Sequence, residues 1–476
     1  MEIKMMKERF HDFSRKDGTK SVYASVISIF IGLFIGFLTM VICSFAPNAN
    51  GDPFSGLFYL FIGPFSSSFQ PMKELGMMLF YAGPLIFTGL SIAVAYKTGL
   101  FNIGAPGQFL MGTMGSLLVA LNINTTDNRA AGILVWLLAL FVGILLGALW
   151  SLVPGLLKAF FGINEVIICI MSNWIAANIV SWVFSLPSLA HLSNNAAMKS
   201  GYLIQTSLTG NYTPTLGLGH LFSSNGSPSY LDIGLILAIL VAVLIWGMMS
   251  KTALGYELKA CGYNKDAARY AGMNEKFNIA VAMALAGGLA AAGGALYYLN
   301  PNIELQYQSC YQILPEYGFN GIPVALLANS HPIGVIFSSV YVRYLNSAGG
   351  FLQRAGYNKY FADIIIAVII YLTGLSHFIQ EQLTRYYKAN DKRGSLFLPY
   401  YLKKLIHKFK AKTNQNTKTE VVELKQIETP KIVDKVSETI SKPVTKKKIV
   451  RIKKATTKAS SSSRTQKKES THKERK

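Results

Sequence analysis

The chain has 476 residues and a formal net charge of +22; 51% of its residues are hydrophobic and 12% aromatic. The apolar residues come in runs of about 20 or more, which match the hydrocarbon core of a bilayer and exclude an ordinary globular domain with alternating faces. Charge is concentrated at one end: 27 Lys/Arg and 9 Asp/Glu follow residue 380, so about +4 is left for everything before it, and the basicity belongs to an appendage.

The first 20 residues carry Lys4, Lys7, Arg9, Arg15, Lys16 and Lys20, and the run 22–46 that follows contains no Lys, Arg, Asp or Glu. That run is too long for the apolar region of a signal peptide, and no Ala-x-Ala site follows it, so it reads as a first transmembrane helix. Further apolar segments fall at about 75–95, 102–121, 131–154, 165–186, 231–250, 277–299, 312–329, 332–349 and 360–380. Loop 251–276 has five basic residues and loop 187–230 only Lys199, which places the former and both termini inside by the positive-inside rule. Both ends inside require an even number of crossings, and ten fits. The organisation expected is a cytoplasmic N-terminus (1–21), a transmembrane body (22–380), a juxtamembrane segment (381–410) and a Lys-rich cytoplasmic tail (411–476). The fold class is an all-α polytopic membrane protein.

Small residues mark tight helix packing: Gly32 and Gly36 in the first segment, Gly143 and Gly147 in the fourth, and the stretch MALAGGLAAAGGAL (283–296). Residues 98–112, TGLFNIGAPGQFLMG, place Gly99, Gly104, Gly107 and Pro106 between two apolar runs. A helix interrupted in lipid leaves backbone groups that protein or a water-filled cavity must satisfy. The stretch therefore either lines an interior, with Pro106 opening a new helix, or is a turn at the membrane surface. If interior, Phe101 offers a stacking face, Gly104 close backbone approach, and Asn102 and Gln108 hydrogen bonds. A second Gly/Pro-rich segment, EYGFNGIPVALLANSHPIG (316–334), repeats Phe319 and Asn320 in the other half, and paired interruptions of this kind point to a transport site. In the fifth segment Glu165, Cys169 and Asn173 are spaced by four and share a helix face. Glu165 sits at the inner boundary, so Asn173 is the residue expected to line a path. A path of Phe and amides without a run of buried acids or cations suits a neutral, polar, stackable solute.

Loop 251–276 reads as one or two short surface helices punctuated by Gly255, Gly262 and Gly272, with Asn264 as an N-cap before Ala267 and Ala268. Such helices suit docking of a separate motor, and the chain has no G-x-x-x-x-G-K-[S/T] of its own. The four cysteines, Cys43, Cys169, Cys261 and Cys310, make no C-x-x-C, and neither H-E-x-x-H nor G-x-S-x-G occurs; no metal, cofactor or bond chemistry is indicated. Residues 398–409, LPYYLKKLIHKF, form an amphipathic stretch suited to the inner leaflet, where membrane lipids are the partner. Beyond it, the composition is that of a disordered tail. Attraction to lipid or RNA, docking of a partner, and no specific role all remain open for it; nucleic-acid binding would rest on charge alone.

Three motifs in this order, KTGLFNIGAPGQFLMG (97–112), GINEVIICIMSNWIA (162–176) and KTALGYELKACGYNKDAARYAGMN (251–274), the last followed by GFNGIPVALL (318–327), resemble the permeases of ABC importers of the branched-chain amino acid/ribose family, nucleoside subgroup. The resemblance covers about residues 75–380. It implies a type II ABC importer-like permease in a bacterial cytoplasmic membrane, not an enzyme, with ATP bound by a partner subunit. It further implies a second permease, an extracytoplasmic substrate-binding lipoprotein, and nucleosides as cargo. The rival solutes are ribose or another simple sugar, and the rival class is an ATP-independent secondary transporter. By the family pattern Gly255, Gly262, Asn264, Ala267, Ala268 and Gly272 belong to the ATPase-coupling segment. The family commonly has Glu where this chain has Pro106, so any role of that carboxylate is absent here.

Overall fold

A computed structural model describes residues 17–45, 51–65, 70–123, 129–192, 218–224, 226–358 and 360–374. The chain divides into two units, Met1–Phe397 and Leu398–Lys476, and all described residues lie in the first. The expected juxtamembrane segment and tail lie outside them.

The main elements in chain order are α1 (Asp17–Ser44), α2 (Pro53–Ile62), α3 (Pro71–Lys97), α4 (Ala105–Asn122), α5 (Arg129–Phe161), α6 (Glu165–Phe184), α7 (Gly234–Lys251), α8 (Ala253–Tyr263), α9 (Lys265–Tyr270), α10 (Glu275–Tyr298), α11 (Glu316–Leu327), α12 (Pro332–Leu352) and α13 (Tyr360–Gly374). Six of the described helices (α1, α3, α5, α6, α7 and α10) are long and apolar enough to cross a bilayer. Their burial sorts them. The apolar windows of α3 and α10 are 83% buried, whereas those of α1, α6 and α7 are 28% buried. Two helices therefore form an axis, and the others turn apolar faces outward as lipid-facing helices do.

The axis is closed by missing side chains. A Cβ added at Gly147 (α5) would lie 2.1 Å from that of Ala291 (α10), and one at Gly287 would lie 2.1 Å from Ser151 Cβ. One at Gly112 (α4) would lie 2.3 Å from the Ala291 carbonyl, and one at Gly294 2.2 Å from the Phe109 carbonyl. Backbone thus rests on backbone among α4, α5 and α10, where dispersion contacts replace the hydrophobic drive that lipid cannot supply. The same device joins α1 to α13: Gly32 and Gly36 admit Ile369 and Ile365.

The fold adds to or changes the sequence reading at four points. Helix α2 was not foreseen; its 10 apolar residues reach about 15 Å, too short to register as a span, and Asp52 caps it by accepting from the amides of Phe54 and Ser55. In segment 312–329 the helix α11 has 12 residues and rises about 18 Å. The interruption expected within 316–334 falls at 328–331, where Asn329 and Ser330 adopt φ of 49° and 53°, while α11 runs through Gly318 and Pro323. Lastly, Gly255 and Gly262 lie inside α8 instead of bounding a turn; each sits where a neighbouring backbone crosses the helix.

The packing separates two glycines of similar appearance. Gly147→Val is expected to cost the roughly 1–3 kcal/mol of an overpacked core, or more. Gly247→Ala, in α7 with no atom within 4 Å of an added Cβ, should be neutral or stabilising by up to about 1 kcal/mol. Thermal unfolding of the two variants in detergent, followed by loss of monodispersity, checks this.

Candidate functional site

Helix α3 stops at Lys97, where the amides of Thr98 and Leu100 both reach the Ala95 carbonyl and that of Gly99 the Tyr96 carbonyl. Gly99 takes φ +74°, the left-handed turn that closes many helices and that a Cβ would strain. Helix α4 restarts at Ala105 with Pro106 in its first turn, where the missing N–H costs nothing. Gly99 is exposed, but the chain then turns inward, and the two amides, Asn102 in the break and Gln108 in the first turn of α4, are each 1% exposed.

The stranded polar groups are met by amides. Asn102 Nδ2 donates to Ser91 Oγ at 3.0 Å and to Gln108 Oε1 at 2.8 Å. Its Oδ1 accepts from the Gly104 amide at 3.1 Å and from Gln108 Nε2 at 2.9 Å. Gln108 Nε2 also donates to Ser151 Oγ at 2.9 Å. From α6, Asn173 Oδ1 accepts from the Gly107 amide and Asn173 Nδ2 donates to the Ile103 carbonyl, both at 2.9 Å. Cys169, one turn earlier on α6, brings its Sγ to 4.0 Å from Asn102 Oδ1. The knot thus ties α3, the break, α4, α5 and α6 together.

Of the expected path residues, the structure gathers Asn102, Gly104, Gln108 and Asn173 here. Phe101 is half-buried beside them. Phe319 (39% exposed) and Asn320 stand apart from the knot, although their segment meets it: a Cβ on Gly318 would lie 2.4 Å from Pro106 Cα. Glu165 is paired with Lys158 at 2.8 Å. Ser91 and Ser151 were not singled out in the sequence; neither lies in a motif, and only the fold brings them to the amides.

Loop 251–276 forms the two short helices expected. Asn264 ends α8 and caps α9, accepting from the Ala267 amide at 3.0 Å. Ala268 is buried, and Gly272 turns out of α9 with φ +82°. Arg269 is ion-paired with Glu275, and this carboxylate holds the guanidinium proton more firmly than usual. Tyr263 and Tyr270 are 90% and 94% exposed. Helix α8 presses on the break itself: a Cβ on Gly262 would stand 2.3 Å from the Lys97 carbonyl and 2.9 Å from the Gly99 amide.

Residues 75–374 match the family described as "Branched-chain amino acid transport system / permease component". The chain is 31% identical over 379 residues to the nucleoside ABC transporter permease protein NupB of Lactococcus lactis subsp. cremoris, covering 77% of this chain and 94% of the relative. It is 30% identical over 362 residues to the guanosine ABC transporter permease protein NupP of Bacillus subtilis (75% and 93% covered). Similarity to the glucose ABC transporter permease protein TsgB13 of Haloferax volcanii is 28% over 373 residues (78% and 91%). No solved structure gives a significant match.

Removing Asn173 strands two backbone groups, whereas Asn178 on the same helix only bonds back to the Trp174 carbonyl. Asn173→Ala should therefore cost about 2 kcal/mol or more, and Asn178→Ala under about 0.5 kcal/mol. Detergent unfolding midpoints of both variants give the comparison.

Proposed function

This chain belongs to the permease component family of branched-chain amino acid transport systems, and from that premise we propose that it is the membrane subunit of an ATP-driven importer of nucleosides. It is a multi-pass membrane protein and a transporter subunit, not an enzyme. Permeases of this kind work with an ATP-binding subunit and a substrate-binding protein; a second permease chain and a lipid-anchored binding protein complete the assembly proposed here, in a bacterial plasma membrane with both termini cytoplasmic. Two of the similar proteins are named for nucleosides or guanosine. A path walled by phenyl rings and amides suits that cargo, because a nucleoside combines a stackable face with many hydrogen-bonding groups.

The observation that carries the coupling part is the contact of α8 with the Lys97–Gly99 turn. A motor seated on α8 and α9 moves a helix whose backbone already touches the end of α3, and that end leads directly into the amide knot. Rings as exposed as Tyr263 and Tyr270 suit a protein interface, where Tyr is enriched. In this reading Gly255, Gly262, Asn264, Ala267, Ala268 and Gly272 shape the docking segment. Phe101, Asn102, Gly104, Gln108, Asn173, Phe319 and Asn320 belong to the moving wall of the path. A sugar is the second reading, favoured by the likeness to a glucose permease.

Reconstituted with its ATPase and binding protein, the complex should take up labelled guanosine in an ATP-dependent manner. Unlabelled nucleosides should compete and glucose or ribose should not; competition by sugar alone favours the second reading. Gly262→Val should leave insertion and ATPase association intact while uptake per ATP hydrolysed falls at least about tenfold. Unchanged uptake in that variant would remove α8 from the coupling path.

A further inference from the structure

One cation stands inside the body without an acid. Arg343 is the only Lys or Arg in the 21-residue α12 and lies near its middle. Among the described residues no carboxylate pairs with it, and its Nε is buried without a hydrogen-bond partner. Three residues along the same helix face, Asn346 Oδ1 is also buried without a partner. A half-buried cation with no acid beside it is costly and is retained where it meets a solute or a path.

What the guanidinium does touch is a ring. Its carbon sits 4.4 Å from the centroid of Tyr81, and Tyr81 begins a column. Tyr317 lies 6.3 Å from Tyr81 at an interplanar angle of 14°, and Phe109 lies 6.1 Å from Tyr317 at 11°. Tyr297 flanks the column 4.8 Å from Tyr317. Phe109 directly follows Gln108 of the knot, and Tyr317 directly precedes Gly318, which abuts Pro106. The column therefore lies against both helix ends that meet at the break. A guanidinium stacked on a ring leaves its N–H groups pointing outward in its own plane, as a fork that matches two adjacent acceptors.

Resting on the nucleoside reading, we propose that the Tyr81–Tyr317–Phe109 column is the station for the base and that the Arg343 fork selects 6-oxopurine nucleosides. Guanine and hypoxanthine present two adjacent acceptors, O6 and N7, to such a fork. Adenine presents N7 beside an amino donor, which opposes it. Phe109 is fully buried in this structure, so the base reaches the ring faces when the helices around the break part; the rings accept any base, and Arg343 discriminates at its edge. Guanosine and inosine are thus preferred over adenosine.

The test uses the complete transporter in proteoliposomes, with one preparation of binding protein throughout, so that a changed preference reports the permease. Uptake of labelled guanosine and adenosine is compared for the unmodified chain, Arg343→Gln and Arg343→Lys. Arg343→Gln should lower guanosine uptake about tenfold, the lower part of what one bidentate pair supplies, and change adenosine uptake less than about twofold. Arg343→Lys, which keeps charge but not the fork, should also lose the preference, and it decides the matter if the Gln variant fails to assemble. An unchanged guanosine-to-adenosine ratio, or an equal fall of both, overturns the proposal and leaves Arg343 a packing residue. Failure of the unmodified complex to take up any nucleoside would instead overturn the functional reading beneath it.

Discussion

A helix that starts inside a packed body leaves amide and carbonyl groups that must find partners, and three side-chain amides supply them at the start of α4. Asn102 closes its own turn through the Gly104 amide, Gln108 pairs with Asn102 through two hydrogen bonds, and Asn173 reaches across from α6 to Gly107 and Ile103. Because each group is nearly fully buried, no water stands ready to replace a lost bond, and the pairs act as a unit. Such a knot is stable only while its members stay in register. It is also separable, because every bond in it is an exchange between neutral amides and hydroxyls that a polar solute can imitate. That combination suits it to two arrangements, which the proposed coupling between distant sites requires.

The close glycine packing gives the knot its rigid surroundings. Ser151 reaches Gln108 because Gly147 and Gly287 let α5 and α10 meet backbone to backbone. Helix α8 of the proposed docking segment is tied in by the same means, through Gly262 and Gly99. Packed backbones transmit displacement with little loss, since there is no flexible side chain between them to absorb it. In the proposed coupling, motion at α8 reaches the end of α3 and, within a few residues, Asn102.

Much of this was legible in the sequence where the signal is local. Gly99 and Pro106 marked the end of one helix and the start of the next, Asn264 announced its capping role, and 283–296 declared a helix without bulk. Signals that depend on distance in the fold were not legible. Ser91 and Ser151 are ordinary serines in apolar helices until five elements converge on them. Arg343 passes for a lone charge in an apolar segment, and the sequence reading of a path without buried cations overlooked it; the Tyr81–Tyr317–Phe109 column appears only when α3, α4 and α11 are brought together. Within the second broken segment, 316–334, Gly318, Gly321 and Pro323 look like punctuation as much as Asn329 does, and only the fold puts the break at 328–331. In the fold these glycines are close-approach points against Pro106 and Thr88, and α11 carries Pro323 within it. Composition identifies small residues but not whether they bend the chain or receive a neighbour.

The central claim is that the amide knot opens when the motor works and closes when it rests. Cys169 is a native reporter, fully buried and 4.0 Å from Asn102 Oδ1. With Cys43, Cys261 and Cys310 replaced, labelling of Cys169 by a small water-soluble thiol reagent can be followed in the reconstituted complex. The account predicts negligible labelling at rest and rapid labelling during ATP-driven uptake. A transport-active complex in which Cys169 stays unlabelled throughout turnover would contradict it.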